Sequence, residues 1–334
     1  MSLRPQARAL VALAVLVAAL LVVACGEKSE DTTSQAQPFT LTLDFYPNPD
    51  HAGIYMAEQR GYFREAGLDV SIQTPSDPAA PIKQVAAGQT DLAISYEPEV
   101  VLAVEQGLDV LAVGALVDRP LTSLIWLKES RIGGIADLRG KTIATAGIPY
   151  QDAYLETILA RTGLDPADVK TVNVGYGLLP ALVGGRAQAM LGGFRNVEGV
   201  DLRLRGKAPV VTPVDQLGVP TYDELVLVAN REALEEDPAA IRVFLAALAR
   251  GTEAAVERPN ETVKALLEAN PDLDPELTKA EVEATLPLLS RGGRMDPAAW
   301  SRFVAWMREN GQISGEPAPA DLLSNDYLAG RIPE

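Results

Sequence analysis

From residue 39 to about residue 230, short apolar runs alternate with amphipathic segments. Residues 39–45 (FTLTLDF) alternate polar and apolar side chains, which predicts a strand. Residues 51–65 repeat their apolar positions at helical spacing and stop before Gly67, which predicts a helix with a glycine after its end. Further strands are predicted at 68–72, 91–95, 110–116, 141–145, 169–174, 188–191, 209–214 and 223–230. Further helices are predicted at 81–87, 97–106, 151–162, 178–184 and 196–205, with a helical tail from 231 onward.

The alternation forms two successive sets, which suggests an α/β protein of two lobes. Strands that alternate with helices indicate parallel sheets covered by helices. We predict lobe 1 from residues 39–125 plus 228–334 and lobe 2 from residues 126–227, joined by two crossovers near 121–127 and 223–230. A cleft between two such lobes is a natural site for a small molecule.

The N-terminus predicts a signal and a lipid anchor. Arg4 and Arg8 precede 16 consecutive Ala, Val and Leu residues, and a membrane-spanning helix needs about 20. We therefore interpret residues 1–24 as a secretory signal peptide. The sequence VVACG resembles a bacterial lipobox, so Cys25 is the predicted lipid anchor and residues 25–38 a flexible polar tether. This predicts an extracytoplasmic protein of the cell envelope; an uncleaved anchor or a buried free thiol is the alternative.

Composition narrows the function. The chain has 29 Lys and Arg against 45 Asp and Glu, a net charge of −16, which argues against a nucleic-acid partner. A single cysteine excludes a disulfide within the chain, and a single histidine leaves little for a catalytic triad. The HExxH, Walker A and GxSxG motifs are missing from the sequence. We predict no metal, no cofactor and no catalytic residue, which leaves a receptor, an exported enzyme or an envelope scaffold.

Aromatic and polar residues follow the predicted strands, where open α/β sheets bind ligands. Aromatics make up 5% of the chain, yet one follows nearly every strand in the first 225 residues. Two facing lobes could sandwich a planar ring between such residues, with polar side chains bonding its edge. The predicted ligand-binding residues are Phe45, Tyr46, His51, Ser95, Tyr96, Tyr176, Asn196, Glu198, Tyr222 and Glu224. Each residue taken alone also has a simpler structural explanation. For example, His51 could cap a helix, and Glu198 could complement a helix dipole.

The segments LDFYPNPDHAGIYMAEQRGYF (43–63), VAAGQTDLAISYEPEV (85–100) and GGFRNVE (192–198) resemble the solute-binding proteins of the NMT1/THI5-like family. The resemblance covers roughly residues 39–260. It implies a type II periplasmic-binding-protein fold with a ligand cleft and two crossovers. It also implies a monomeric receptor that delivers a thiamin-precursor pyrimidine, similar to formylaminopyrimidine, to an ABC permease in the membrane.

The resemblance also implies residue roles. Phe45 corresponds to a family tryptophan that stacks on the pyrimidine, and it keeps the aromatic face without the indole donor. Glu198 matches the last residue of the family pattern GGY-x-N-x-E and would bond the aminopyrimidine edge. Tyr176 and Tyr222 match family aromatics near the site, and Tyr96 follows the third strand as it does in the receptors.

Three alternatives stay open. Related receptors bind riboflavin, and the Phe45 and Phe194 departures leave room for such a ring. The family also contains enzymes that make the thiamin pyrimidine, but their reactive lysine and histidine align with Ser95 and Glu99. Their cysteine-rich stretch has no counterpart, because Cys25 is the only cysteine. A sensor lobe that signals to a partner is the third alternative.

Overall fold

The computed structural model describes residues 36–328. The predicted signal peptide, Cys25 and most of the predicted tether lie outside the described residues. The first strand begins at Gln37, so the last two residues assigned to the tether, Gln37 and Pro38, pair with the neighbouring strand. Within residues 36–328, no helix has the length and apolar character needed to cross a membrane.

The element order follows the predicted alternation closely. The strands are β1 Gln37–Thr42, β2 Leu68–Gln73, β3 Leu92–Ser95, β4 Val110–Val117, β5 Thr122–Leu127, β6 Thr142–Thr145, β7 Lys170–Asn173, β8 Ala189–Phe194, β9 Pro209–Pro213 and β10 Leu225–Asn230. The helices are α1 Ala52–Gln59, α2 Tyr62–Glu65, α3 Pro81–Ala86, α4 Glu97–Glu105, α5 Tyr150–Ala160, α6 Leu178–Val183, α7 Glu198–Leu204, α8 Arg231–Glu236, α9 Pro238–Glu257, α10 Pro259–Ala269, α11 Pro275–Thr285, α12 Pro297–Glu309 and α13 Pro319–Leu322.

The strands form two five-stranded sheets of matching design. The first has the order β2-β1-β3-β10-β4 and the second the order β7-β6-β8-β5-β9. The prediction of parallel sheets is wrong for part of each sheet, because β10 runs antiparallel to β3 and β4 and β5 runs antiparallel to β8 and β9. β5 and β10 each enter from the other sheet, so no helical crossover forces them parallel to their neighbours.

Two short connections join the sheets. Residues 118–121 link β4 to β5, and residues 214–224 link β9 to β10. The lobe boundaries predicted at 125/126 and 227/228 fall inside β5 and β10. β5 pairs along its whole length in the second sheet and β10 along its whole length in the first, so each strand belongs to one sheet only.

The single helix predicted over residues 51–65 needs correction. The helix predicted over 51–65 is a 3₁₀ turn at Pro49–His51 followed by α1 and α2, which are separated at Gly61. Gly61 has φ +70°, a left-handed conformation that glycine adopts without strain and that ends a helix. Within the predicted helical tail, α10 ends at Ala269 and α11 begins at Pro275.

The C-terminal helices pack onto the first half of the molecule. α9 packs against α1, and Phe244 on α9 lies stacked between Phe39 and Phe63, with ring centroids 4.9 Å from each. Burial of three such rings contributes several kcal/mol by area alone. This packing fixes β1 and α1, whose intervening segment reaches the cleft.

Candidate ligand-binding site

A cavity lies where the carboxyl ends of strands from the two sheets meet. The segments after β1, β3 and β6 and the end of β8 supply its walls, as the strand-end rule predicts. The lining residues are Asp44, Phe45, Asn48, Tyr96, Ala146, Ile148, Tyr150, Gly192, Phe194, Val197 and Glu198.

Asp44 is held from two sides by buried groups. His51 Nε2 lies 2.8 Å from Asp44 Oδ1, and the Tyr96 hydroxyl donates to Asp44 Oδ2 at 2.9 Å. The Asn48 backbone N–H donates to His51 Nδ1 at 3.3 Å. Since Nδ1 accepts this bond, we assign the ring proton to Nε2, which donates to Asp44. His51 is fully buried and positions Asp44 without lining the cavity.

Glu198 faces Asp44 from the opposite half of the molecule. Its Oε2 accepts the Phe194 backbone N–H at 2.7 Å, and its Oε1 lies 3.4 Å from the Tyr46 hydroxyl. Burial raises the pKa of Glu198 to about 7, against the lowering effect of these hydrogen bonds. The group therefore changes charge near neutral pH and keeps lone pairs free for a ligand.

Aromatic rings from both halves meet at the cavity. The Phe45 ring lies 4.5 Å from Tyr46 and makes an edge contact with Tyr176 at 4.6 Å between centroids. On the other side, the Tyr96 and Tyr150 rings lie 5.4 Å apart. The Tyr176 hydroxyl donates to the Pro75 carbonyl at 2.6 Å, which joins the two halves. Such edge and tilted contacts leave ring faces available for a planar ligand.

Gly192 shapes the second-sheet wall. It is the extra residue of a bulge in β8, because Ser123 pairs with Gly193 and Leu124 with Leu191. Its φ is +109°, and a Cβ there would lie 2.3 Å from Gln151 Nε2. The bulge turns the end of β8 toward the cleft. Gly192 and Gly193 are therefore part of β8, whereas the sequence predicted that this strand ends at residue 191.

Polar contacts join the halves beside the cavity. Asn196 Nδ2 donates to Asp50 Oδ1 and to Thr285 Oγ1, each at 2.8 Å. Asn196 and Asp50 are 2% and 1% exposed, so these bonds are shielded from water. Asn196 thus binds the two halves to each other and does not line the cavity.

Carboxyl groups converge at this junction without a basic partner. Glu281 on α11 is 6% exposed, and burial together with the charges of Glu198, Asp50 and Asp201 raises its pKa to about 9. Burial also raises the pKa of Asp50 well above its ordinary range. Among residues 36–328, no Lys, Arg or His lies within 4 Å of either carboxyl. Glu281 therefore holds a proton at neutral pH.

Glu224 and Tyr222 belong to the connection between the sheets. Glu224 is fully buried and accepts bonds from the Leu121 and Thr122 backbone N–H groups at 2.6 and 2.7 Å, from Thr122 Oγ1 at 2.8 Å and from Tyr222 at 2.9 Å. These bonds come from residues in or beside the two connections, so this carboxylate ties one connection to the other, and it does not line the cavity.

Ser95 and Glu99 form a separate buried pair. Ser95 Oγ donates to Glu99 Oε2 at 2.8 Å, one helical turn away, and burial raises the pKa of Glu99 to about 7. Neither residue lines the cavity. In the part of the chain that the structure describes, no group of three or more His, Cys, Asp and Glu side chains is placed to hold a metal ion.

The structure therefore divides the ten predicted residues. Phe45, Tyr96 and Glu198 line the cavity, and Tyr46 and Tyr176 contact those residues. The other five are occupied by structural hydrogen bonds away from the lining: His51, Ser95, Asn196, Tyr222 and Glu224. Sequence reasoning left out the lining residues Asp44, Asn48, Tyr150 and Phe194. All four lie in or beside strand ends. The rule that ligands bind at the carboxyl ends of strands therefore predicted the correct segments, but it did not predict which of their side chains face the cavity.

The sequence profile described as NMT1/THI5 like matches residues 48–262, well over half of the chain. The chain belongs to the NMT1/THI5-like family. It is 37% identical over 293 residues to a protein assigned to thiamine biosynthesis in Haemophilus influenzae, covering 87% of this chain and 91% of that one. It is 34% identical over 322 residues to the formylaminopyrimidine-binding protein of Halalkalibacterium halodurans, covering 94% and 97%.

This NMT1/THI5-like chain is also similar to an enzyme and to a solved binding protein. A 4-amino-5-hydroxymethyl-2-methylpyrimidine phosphate synthase of Legionella pneumophila is 30% identical over 255 residues, covering 75% of this chain and 80% of that one. The solved alkanesulfonate-binding protein of Xanthomonas axonopodis superposes with a TM-score of 0.69 at 16% identity, covering 86% and 98%. This last likeness shows the periplasmic-binding-protein fold alone, as the sequence predicted.

Proposed function

We propose that this protein is an extracytoplasmic, lipid-anchored solute-binding protein of an ABC importer, with a thiamin-precursor pyrimidine similar to formylaminopyrimidine as its ligand. The observation that carries the proposal is the pairing of Glu198 with aromatic rings in one small cavity between two sheets. The relative from Halalkalibacterium halodurans, whose name gives such a ligand, matches nearly the whole chain.

The cavity chemistry fits an aminopyrimidine. Glu198 retains acceptor capacity beyond the Phe194 N–H and the long contact to Tyr46, and an aminopyrimidine edge carries an amino donor beside a ring nitrogen. Phe45, Tyr96 and Tyr150 offer ring faces at a low cost in side-chain entropy.

Closure of the cleft follows from contacts between the halves. Tyr46 with Glu198, Asn196 with Asp50 and Tyr176 with Pro75 form only when the halves approach. A ligand that touches both Phe45 and Glu198 favours the closed arrangement, since it makes more contacts there than in an open one. The closed form would then dock on a membrane permease, with the two sheets and the helices that cover them as the two proposed lobes.

Serine and glutamate at positions 95 and 99 favour binding over turnover. The synthases of the family use a lysine and a histidine at the aligned positions, and the buried Ser95–Glu99 pair has neither a reactive amine nor an imidazole. We therefore propose that the protein releases its ligand unchanged.

Calorimetry with formylaminopyrimidine tests the proposal. Glu198→Ala should weaken binding by about 1–3 kcal/mol, because a buried hydrogen bond is lost. Glu129→Gln, which removes an exposed carboxylate of a surface ion pair, is the matched control and should bind normally. Unchanged affinity of Glu198→Ala would remove Glu198 from the site. Mass spectrometry of ligand released from the native protein should show a pyrimidine; a flavin there would favour the riboflavin receptor, and turnover of the pyrimidine would favour an enzyme.

A further inference from the structure

The cavity lining is acidic and aromatic, and it includes no basic side chain among the residues that the structure describes. Two of the eleven lining residues are carboxylic acids, Asp44 and Glu198, and four are Phe or Tyr. The two acids come from opposite halves of the molecule, so a ring bound in the cavity would lie between them.

The nearby histidine does not supply a positive charge in this arrangement. His51 Nδ1 accepts the Asn48 N–H and Nε2 donates to Asp44, which is the pattern of a neutral imidazole. In the part of the chain that the structure describes, no Lys or Arg nitrogen lies within 4 Å of the Asp44 or Glu198 carboxyl.

Given the proposed function, we propose that the cavity holds its aminopyrimidine as a cation, protonated on the ring, and excludes analogues that carry a phosphate or carboxylate. A ring flanked by Tyr and Phe faces and by two carboxylates is in an environment that attracts cations. An anionic substituent would meet the same carboxylates with no guanidinium or ammonium to balance it.

Hydrogen-bond geometry leads to the same ligand form. A protonated aminopyrimidine presents its ring N–H and its amino N–H side by side, and a carboxylate accepts both in a charge-assisted pair. The neutral ring presents one donor and one acceptor, and only the donor suits an ionised carboxylate. Glu198 retains lone pairs on both oxygens for such a pair.

Three probes on the wild-type protein test the charge preference by calorimetry. They are 4-amino-5-hydroxymethyl-2-methylpyrimidine, its phosphate ester, and 2-hydroxymethyl-5-methylaniline, in which C–H groups replace both ring nitrogens. The pyrimidine should bind at least about 100-fold more tightly than either of the others, because only it becomes a ring cation and lacks an anionic group. Equal or tighter binding of the ester or of the aniline overturns the inference while leaving the pyrimidine receptor intact. Failure of all three probes and of formylaminopyrimidine to bind overturns the proposed function and this inference together.

The charge state itself is read from the bound ligand. With the ring nitrogens labelled, the ¹⁵N resonance of the bound pyrimidine should lie far upfield at pH 8, where the free compound is neutral. A bound resonance at the neutral position overturns the inference. Glu198→Gln should narrow the preference for the pyrimidine over its ester about tenfold, and Glu129→Gln should leave it unchanged; an unaltered preference in Glu198→Gln also counts against the inference.

Discussion

Replacing Glu281 with glutamine should stabilise the protein, and the gain should grow with pH. Glu281 is 6% exposed, and its pKa is raised from 4.5 to about 9 by burial and by Glu198, Asp50 and Asp201. Between these values the folded protein binds a proton that the unfolded chain releases, so this group lowers stability as pH rises. Glutamine has nearly the same shape and cannot ionise, so the variant escapes this loss.

The magnitude follows from the pKa change. Each pH unit between the unfolded and folded pKa values costs up to about 1.4 kcal/mol. From an unfolded value of 4.5, the wild-type protein therefore loses up to about 3 kcal/mol by pH 7 through this one group. Relaxation of the junction reduces the figure, and we expect Glu281→Gln to gain about 1–3 kcal/mol at pH 7 and little near pH 5.

Urea unfolding of both proteins from pH 5 to pH 8 measures the effect. The difference in free energy of unfolding should widen steadily over this range. Glu283→Gln is the matched control, since it removes the same charge from an exposed position on the same helix. A difference that stays constant with pH, or one that Glu283→Gln reproduces, would refute the reasoning.

Three further substitutions test the geometry of the site and its connections. Gly192→Ala should cost about 1–3 kcal/mol of stability, because φ is +109° and the new Cβ would press on Gln151; thermal unfolding measures this, and an unchanged midpoint contradicts it. Glu224→Ala should destabilise by about 3–5 kcal/mol, since it leaves several buried donors without an acceptor; a loss below about 1 kcal/mol in urea unfolding would argue against the clamp. Tyr176→Phe should weaken pyrimidine binding by about 0.5–1.5 kcal/mol through loss of its hydrogen bond to the Pro75 carbonyl, while the free energy of unfolding should barely change. Unchanged affinity in calorimetry would show that this hydrogen bond does not contribute to closure of the cleft.

The local sequence pattern was sufficient to predict most strands and helices and the segments that reach the cleft. Alternation over residues 39–45 placed β1 within a few residues, and the strand-end rule directed attention to Phe45, Tyr96 and Glu198. These signals work because a half-buried strand repeats every two residues and the carboxyl ends of its parallel neighbours share one edge. The lipid anchor at Cys25 is likewise a local inference, and it stays a prediction.

The sequence could not decide strand direction or the part that each polar side chain plays. β5 and β10 run antiparallel because each arrives from the other sheet, which no local pattern records. His51, Asn196 and Glu224 have side chains that could contact a ligand, but each is hydrogen-bonded to another part of the chain. The partner of His51, Asp44, is 7 residues away in the sequence. Asp50 is 146 residues from Asn196, and Leu121 is 103 residues from Glu224.

By itself, the sequence determined the order of strands and helices, the family and the segments that form the cleft, because these depend on the periodicity and motifs of neighbouring residues. Only the tertiary structure decided which acids face the cavity and which are buried in the junction or the connections. Burial and charge at Glu198 and Glu281 arise from residues on α7, α11 and the segment before α1. Their protonation is therefore a property of the packed halves and not of the chain.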